Sequence, residues 1–201
     1  MIMNNDKIIL SDEIVFVTTN KGKIASANKY LKDVKFTTYN YDLIEPRTDD
    51  IQEIAKCKVK QAYDIVKKPC IALDAGFFID ELNGFPRAFV NFALDTIGVD
   101  GILKQMENVS NRKCAFKECL AYYDGKDYLF FYGNHEGNLA TSKQGVDDDK
   151  KWSDLWYIFK PYNYDKTLSQ MSEEERSLRV RCPECVSAMQ EFADYYNMVN
   201  M

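Results

Sequence analysis

Thr18-Thr19-Asn20-Lys21-Gly22-Lys23 gathers hydroxyls, an amide, two ammonium groups and a glycine into six residues. Ile14-Val15-Phe16-Val17 precedes it, apolar and mostly β-branched, as a short buried strand should be. After it, Ile24, Ala27, Tyr30 and Leu31 fall on one face of a helix. The run is therefore a tight polar turn between a strand and a helix N-terminus, with Asn20 suited to cap the helix. Backbone N–H groups point outward at such a turn, and the helix dipole favours an anion there. Lys21 and Lys23 add positive charge, and Gly22 lets a ligand approach the backbone. That chemistry is a cradle for polyphosphate. The plain alternative is a capped strand–helix unit with two solvated lysines. The P-loop glycine spacing is absent, so the spacing leaves both readings open.

Asp74 is the second focus. It follows the apolar Cys70-Ile71-Ala72-Leu73 and precedes Ala75-Gly76, which permit close approach. A carboxylate at a strand end in a crevice is a usual place for metal and base work. Glu53, near the start of a helix, is the natural second acid. Mg2+ takes one or two carboxylates, keeps several waters and fills the remainder with substrate phosphates. Turn capping for Asp74 and a dipole-favoured first-turn acid for Glu53 are the structural alternatives.

Other chemistries fail on residue counts. His135 is the only histidine and reads as a strand-end polar residue, so no Ser-His-Asp or Cys-His nucleophile is supported. Cys182-Pro183-Glu184-Cys185 is a single CxxC, too few ligands for a zinc site and without a thioredoxin setting. The other cysteines (57, 70, 114 and 119) sit singly in periodic segments, as free buried thiols of a reducing compartment do.

The elements that must position these groups follow from periodicity. Residues 1–12 form a lead-in, and 13–201 a single domain. A second strand is expected over 34–38, and a polar loop over 41–50. A helix spans 51–66 and stops at Pro69. A strand over 70–73 delivers Asp74, with 77–79 as a hairpin partner. Helices are expected over 88–97 and 101–106. Strands 113–123 and 128–132 flank Asp124-Gly125, a strong hairpin signal. The second of them continues through a bulge at Gly133 to Leu139. A surface loop covers 144–151, a further strand 155–159, and one or two helices 172–199, with Pro183 near a boundary. There is no repeat of fixed period.

The chain has 201 residues, 46% of them hydrophobic, and a net charge of −5. That is enough apolar content for a substantial core. The acidic balance argues against a nucleic-acid binder. No apolar run approaches the length of a membrane span, and the N-terminal residues lack a secretory signal pattern. The expected location is cytoplasmic.

Five motifs then match one family in chain order. Thr18, Asn20 and Lys23 stand where the inosine triphosphate pyrophosphatase family has Thr-Gly-Asn-x-x-Lys after a strand, with Thr19 in the glycine's place. Gln52-Glu53-Ile54-Ala55 with Lys58 resembles its Glu-Asn-Ala-x-x-Lys helix. Leu73-Asp74-Ala75-Gly76 resembles Asp-Asp-Ser-Gly, and Leu82-Asn83-Gly84-Phe85-Pro86 its Leu-x-Gly-x-Pro turn. Phe159-Lys160-Pro161, Tyr164-Asp165-Lys166-Thr167 and Met171-Ser172 resemble its Phe-x-Pro, Lys-Thr and Met-Ser segment. The resemblance runs from about residue 14 to residue 176.

What the resemblance implies is specific. The fold is α/β, a long twisted mixed β-sheet flanked by helices, in two lobes with a central cleft. The reaction is Mg2+-dependent hydrolysis of non-standard or modified purine nucleoside triphosphates to monophosphate and pyrophosphate, by a homodimer. Glu53 and Asp74 hold the metal, and Asp74 orients or deprotonates the attacking water. Thr18, Thr19, Asn20, Lys21, Gly22, Lys23, Lys58 and Ala75 surround the phosphates. Asp154, Trp156, Arg176 and Arg181 fall on the segments that bind the base, with Trp156 the expected stacking platform and Trp152 an anchor for the loop before it, both as core residues being the alternative. The departures carry information too. Leu73 replaces a carboxylate of the family pattern. Ser153-Asp154-Leu155-Trp156 replaces Phe-Gly-Tyr/Trp-Asp, and Val180-Arg181-Cys182 replaces Ser-His-Arg, so the histidine is gone. A catalytically weak nucleotide-binding relative with altered base specificity is the alternative that these losses raise.

Overall fold

The computed structural model describes residues 10–200 except 12, 148, 150 and 179–185. The expected lead-in falls mostly outside them, as do Arg181, Cys182 and Cys185. β1 (Ile14–Val17) leads into α1 (Lys21–Tyr30), then β2 (Phe36–Tyr39) and α2 (Ile51–Val66). β3 (Cys70–Ile79), β4 (Pro86–Arg87), α3 (Val90–Thr96) and α4 (Gly98–Gln105) follow. The long β5 (Lys113–Tyr123) and β6 (Tyr128–Leu139) come next, then β7 (Phe159–Pro161), α5 (Glu173–Leu178) and α6 (Ala188–Asn200). The strands form one seven-stranded sheet in the order β2-β1-β3-β5-β6-β7, with β4 against the far end of β3. β1 runs parallel to β2 and β3, and the other pairs are antiparallel. The expected mixed sheet flanked by helices is therefore present.

Alternation along the strands sorts side chains to two faces. On one face α1 and α6 cover Ile14, Phe16, Leu73, Leu120 and Phe131. On the other, α2 lays Ala55, Val59 and Ala62 over Val15, Val17, Ala72 and Cys119. A third cluster, with Phe77, Phe116, Ile102, Leu155 and Phe159, fills the other end of the long strands on the α1/α6 side. Two packed regions thus share β3, β5 and β6 as a spine, which matches the expected two lobes.

Several elements differ from expectation, each for a local reason. The strand at Asp74 does not turn: all ten residues of β3 pair with β5, from Cys70↔Tyr123 to Ile79↔Cys114. Gly76 serves proximity instead, because a Cβ there would lie 2.6 Å from the Arg87 carbonyl oxygen of β4. β6 runs without a bulge, pairing one-to-one with β5 from Tyr123↔Tyr128 to Lys113↔Asn138. The strand expected at 155–159 is a 3-10 turn over Asp154–Tyr157 followed by the short β7. Ser153 accepts the Leu155 N–H there, a local cap that competes with strand pairing. The helix expected over 101–106 begins at Gly98, directly after α3. The hairpin at Asp124-Gly125 forms as expected, with Asp124 accepting from Lys126 and Asp127 N–H at 2.8 Å each.

Candidate active site

β1 and β3 pair only through Val15↔Cys70 and Phe16↔Ile71 and then separate. The crossover helices that follow β1 and β2 pack on opposite faces of the sheet. The carboxyl ends of β1 and β3 therefore mark a topological switch point, the usual ligand position in an open α/β sheet. The polar turn and Asp74 both lie at this end.

The turn is built as its residue types suggest. Asn20 caps α1, its side chain accepting the Lys23 N–H at 3.0 Å. Thr18 Oγ1 accepts the Asn20 N–H at 3.1 Å. Thr19, Asn20 and Lys21 are exposed, and Thr18, Gly22 and Lys23 half-buried. Lys23 turns inward: its Nζ donates to the Leu73 carbonyl at 2.6 Å and lies 3.9 Å from Asp74 Oδ1. Lys58, two turns into α2, reaches the same oxygen at 3.2 Å. Its Nζ also meets Glu45 Oε1 at 2.5 Å.

The second carboxylate of the site is thus Glu45, on the loop before α2. Glu53 is not brought there: it sits exposed in the first turn of α2, where its N–H donates to the Asp50 cap. Helical spacing explains this, since Glu53 and Lys58 are five residues apart and do not share a face. Glu45 gave no signal in the sequence, because its loop has no period and is placed by tertiary contacts: Gln61 holds the Ile44 backbone and Lys58 the Glu45 carboxylate.

Electrostatics follow from burial. Asp74 is 6% exposed. Desolvation raises its carboxyl above the usual range, with Lys23 and Lys58 opposing. Lys23 is pushed down by burial, against the field of Asp74. Burial also works against the Lys58 ammonium, but Asp74 and Glu45 outweigh it and raise its pKa. Among the described residues no group of three or more His, Cys, Asp or Glu could hold a metal by itself. Two hard oxygen donors on one cation are nevertheless the donor set Mg2+ takes when phosphates complete its shell.

The exposures of the two tryptophans are the reverse of what a stacking Trp156 and an anchoring Trp152 would require. Trp156 is buried at 6% exposure, with the Arg176 guanidinium 4.8 Å from its ring centroid. Arg176 also donates to the Leu168 and Met171 carbonyls. Trp152 is 54% exposed. It stands edge-on to Phe116 at 5.3 Å and to Trp156 at 5.8 Å. Its Cβ would lie 3.5 Å from a Cβ on Gly22, so it leans over the α1 N-terminus. Asp154 pairs with Lys151 at 2.9 Å, beside Asp147. Ala75 is half-buried next to Asp74.

His135 is not at a strand end. It lies mid-strand in β6, opposite Phe116, with Nε2 3.5 Å from Glu118 Oε2. A cavity of about 390 Å³ opens beside this pair, lined by Ile51, Lys117, Glu118, Tyr132, Gly133, Asn134, Val186 and Glu191. Neither Glu118 nor the pairing was legible beforehand, since a mid-strand Glu in an alternating segment reads as solvent-facing. The described cysteines 57, 70, 114 and 119 are free, and burial pushes the Cys70 and Cys119 thiols up to about 12.

The chain is similar to known proteins over most of its length. The profile of the Ham1 family matches residues 14–192. A dITP/XTP pyrophosphatase of Thermococcus kodakarensis is 32% identical over 184 residues, covering 90% of this chain and 96% of the relative. One from Saccharolobus solfataricus is 28% identical over 190 residues, covering 92% and 95%. A HAM1 protein from Coxiella burnetii superposes with a TM-score of 0.78 at 21% identity, covering 94% of this chain and all of that one. The Staphylococcus aureus Ham1 protein gives 0.72 at 22% identity, covering 90% and 98%.

Proposed function

Because the chain belongs to the Ham1 family, we propose that it hydrolyses non-standard purine nucleoside triphosphates to the monophosphate and pyrophosphate. The observation that carries this reading is the meeting of Asp74, Glu45, Lys58 and Lys23 beside the α1 N-terminus. The triphosphate lies against the turn at Thr18 to Lys23, where the helix dipole and two lysines offset its charge. Asp74 accepts a proton from, or orients, the water that attacks the α-phosphorus. The bond to the bridging oxygen then breaks and pyrophosphate departs, its charge met by Lys23 and Lys58. Glu45 and Asp74 would hold Mg2+, which when bound supplies charge neutralisation at the phosphate oxygens. Trp152 offers the exposed face for stacking on the base, and Trp156 with Arg176 supports it from behind.

The same reading includes a homodimer and a cytoplasmic location. Phe89 and Phe92 support the first, being exposed three residues apart at the start of α3. Among the described residues no helix is long and apolar enough to cross a membrane.

The deciding experiment measures pyrophosphate release from inosine, xanthosine, guanosine and adenosine triphosphates. Asp74→Asn is expected to lower kcat by about 100-fold or more with folding intact. An unchanged rate returns Asp74 to a structural role. One observation favours a second reading. Leu73, in the place of a family carboxylate, is buried in the apolar cluster under α1 and α6. A nucleotide-binding protein with weak turnover would show thermal stabilisation by triphosphates without pyrophosphate release.

A further inference from the structure

β5 pairs with the whole of β3 along one edge. Along the other edge β1 reaches only Cys70 and Ile71, and β4 only Phe77 and Phe78. Asp74 lies in the stretch left open between them, where Lys23 donates to the Leu73 carbonyl. The site therefore has two lips, the turn after β1 and the strand β4. Arg87 stands on the second.

Arg87 holds its place against a conformational preference. Its φ is 54°, a backbone region that residues with a Cβ rarely adopt and glycine adopts freely. Strain of this kind persists where the surrounding contacts over-determine it, and it clusters at functional sites. The contacts here are specific. Arg87 Nη1 meets Asp49 Oδ2 at 2.5 Å, and Nη2 donates to the Asn83 carbonyl at 2.9 Å. A Cβ on Gly84 would lie 3.2 Å from Arg87 Nε, so the side chain runs across that glycine. Both members of the ion pair are nearly half exposed, at 46% and 45%. An exposed pair contributes little to global stability, so stability does not explain an arginine where glycine is unstrained.

Position explains it better. The two acids that would share a cation come from different elements, Asp74 from β3 and Glu45 from the loop before α2. Gln61 and Lys58 tie that loop to α2, at Ile44 and Glu45. Asp49 is on the same loop, and Arg87 ties it to β4, which pairs with β3. The ion pair thus fixes the loop of one acid against the strand of the other.

Resting on the pyrophosphatase reading above, we propose that Arg87 is a positioning residue: by holding Asp49 it sets the separation of Glu45 from Asp74, and with it the affinity for the divalent cation that accompanies a triphosphate. Groups that orient metal ligands without touching the metal commonly alter affinity as much as tenfold or more.

The test uses Arg87→Gly, which removes the pair and the backbone strain together, and Asp49→Ala, which removes the pair from the other side. The first readout is amide hydrogen exchange over 44–50 in the nucleotide-free protein, expected to quicken about tenfold in both variants. The second is the Mg2+ concentration that half-saturates the thermal stabilisation given by α,β-methylene inosine triphosphate. It should rise about tenfold in each variant and no further in the double variant, because the two residues act as one unit. Arg87→Lys, which keeps a cation for Asp49, should recover most of the difference. The melting temperature of nucleotide-free Arg87→Gly should hold. A purely structural pair would lower the melting temperature of both variants and leave the Mg2+ midpoint where it was. A guanidinium that touched phosphate directly would make Arg87→Gly bind more weakly than Asp49→Ala. Either result overturns the inference and leaves the proposed activity standing. If Arg87→Gly does not fold, Asp49→Ala decides alone. A wild type that neither releases pyrophosphate nor is stabilised by any triphosphate with Mg2+ overturns the activity, and this inference with it.

Discussion

Lys58 touches two acids at once, and only one of them was visible in advance. Asp74 announced itself by ending an apolar run. Glu45 lies in an aperiodic loop, while Glu53 occupies the first-turn position that any helix dipole favours. Sequence position alone therefore does not single out the acid that Lys58 meets. Glu45→Gln is expected to raise the Mg2+ needed for half-maximal activity about tenfold, and Glu53→Gln to leave it unchanged, by titration of rate against metal. Glu118 yields a separate expectation. Its folded pKa lies below the ordinary 4.5, so its ionisation contributes stability above that pH and loses it as pH falls through the folded value. Urea midpoints for wild type and Glu118→Gln should differ at pH 7 and converge as pH drops below 4.5. His135 was misread because the regular part of that strand was expected only over 128–132, with a bulge at Gly133 between it and His135, whereas the pairing with β5 runs unbroken past both. The side-chain logic of the Asn20 cap, by contrast, was fully legible, since capping is a local property.

At the scale of elements, local signals were reliable where they acted alone. α2 begins and ends where its caps predict. Asp50 accepts the Gln52 and Glu53 N–H groups, and Lys67 closes the helix with a φ of 54°. Asp50→Ala is expected to cost about 1 kcal/mol in urea unfolding. It should spare the KM for nucleotide, because Lys58 is two turns downstream and held by Asp74. The misjudged elements are those where tertiary pairing overrides composition. Asp74-Ala75-Gly76 has the residues of a turn, yet β5 pairs with every residue of β3 and keeps it straight. Leu155 to Phe159 has the composition of a strand, yet only Phe159 finds β6 in register, opposite Leu139. Helix boundaries at 90 and 98 moved for a simpler reason: Gly98, at a φ of 64°, joins two helices that periodicity alone cannot separate.

The whole molecule is one sheet with two cores strung along its three longest strands. The site lies where β1 leaves that sheet. The mixed sheet and the two lobes were legible from the order of apolar runs and from the resemblance they carry. The docking of α6 was not, because it rests on contacts distant in sequence: Met189, Phe192 and Tyr196 join the cluster of Ile14 and Leu120, and Glu118 holds the Ala188 N–H across seventy residues. One detail of the site bears on the molecule as a whole. With the Lys58 ammonium between Glu45 and Asp74, the free protein already carries a counter-ion for the acids that would receive the metal. Its folding then does not depend on divalent-ion supply, unlike domains whose ligands repel one another until a metal arrives. Exhaustive chelation should leave the melting temperature of the nucleotide-free protein unchanged while abolishing turnover, and added Mg2+ should restore turnover without refolding. In Lys58→Met the two acids lose that internal cation, and the melting temperature should begin to rise with added Mg2+. Such a protein could wait, folded and inert, through magnesium scarcity, with ion availability setting its output rather than its survival.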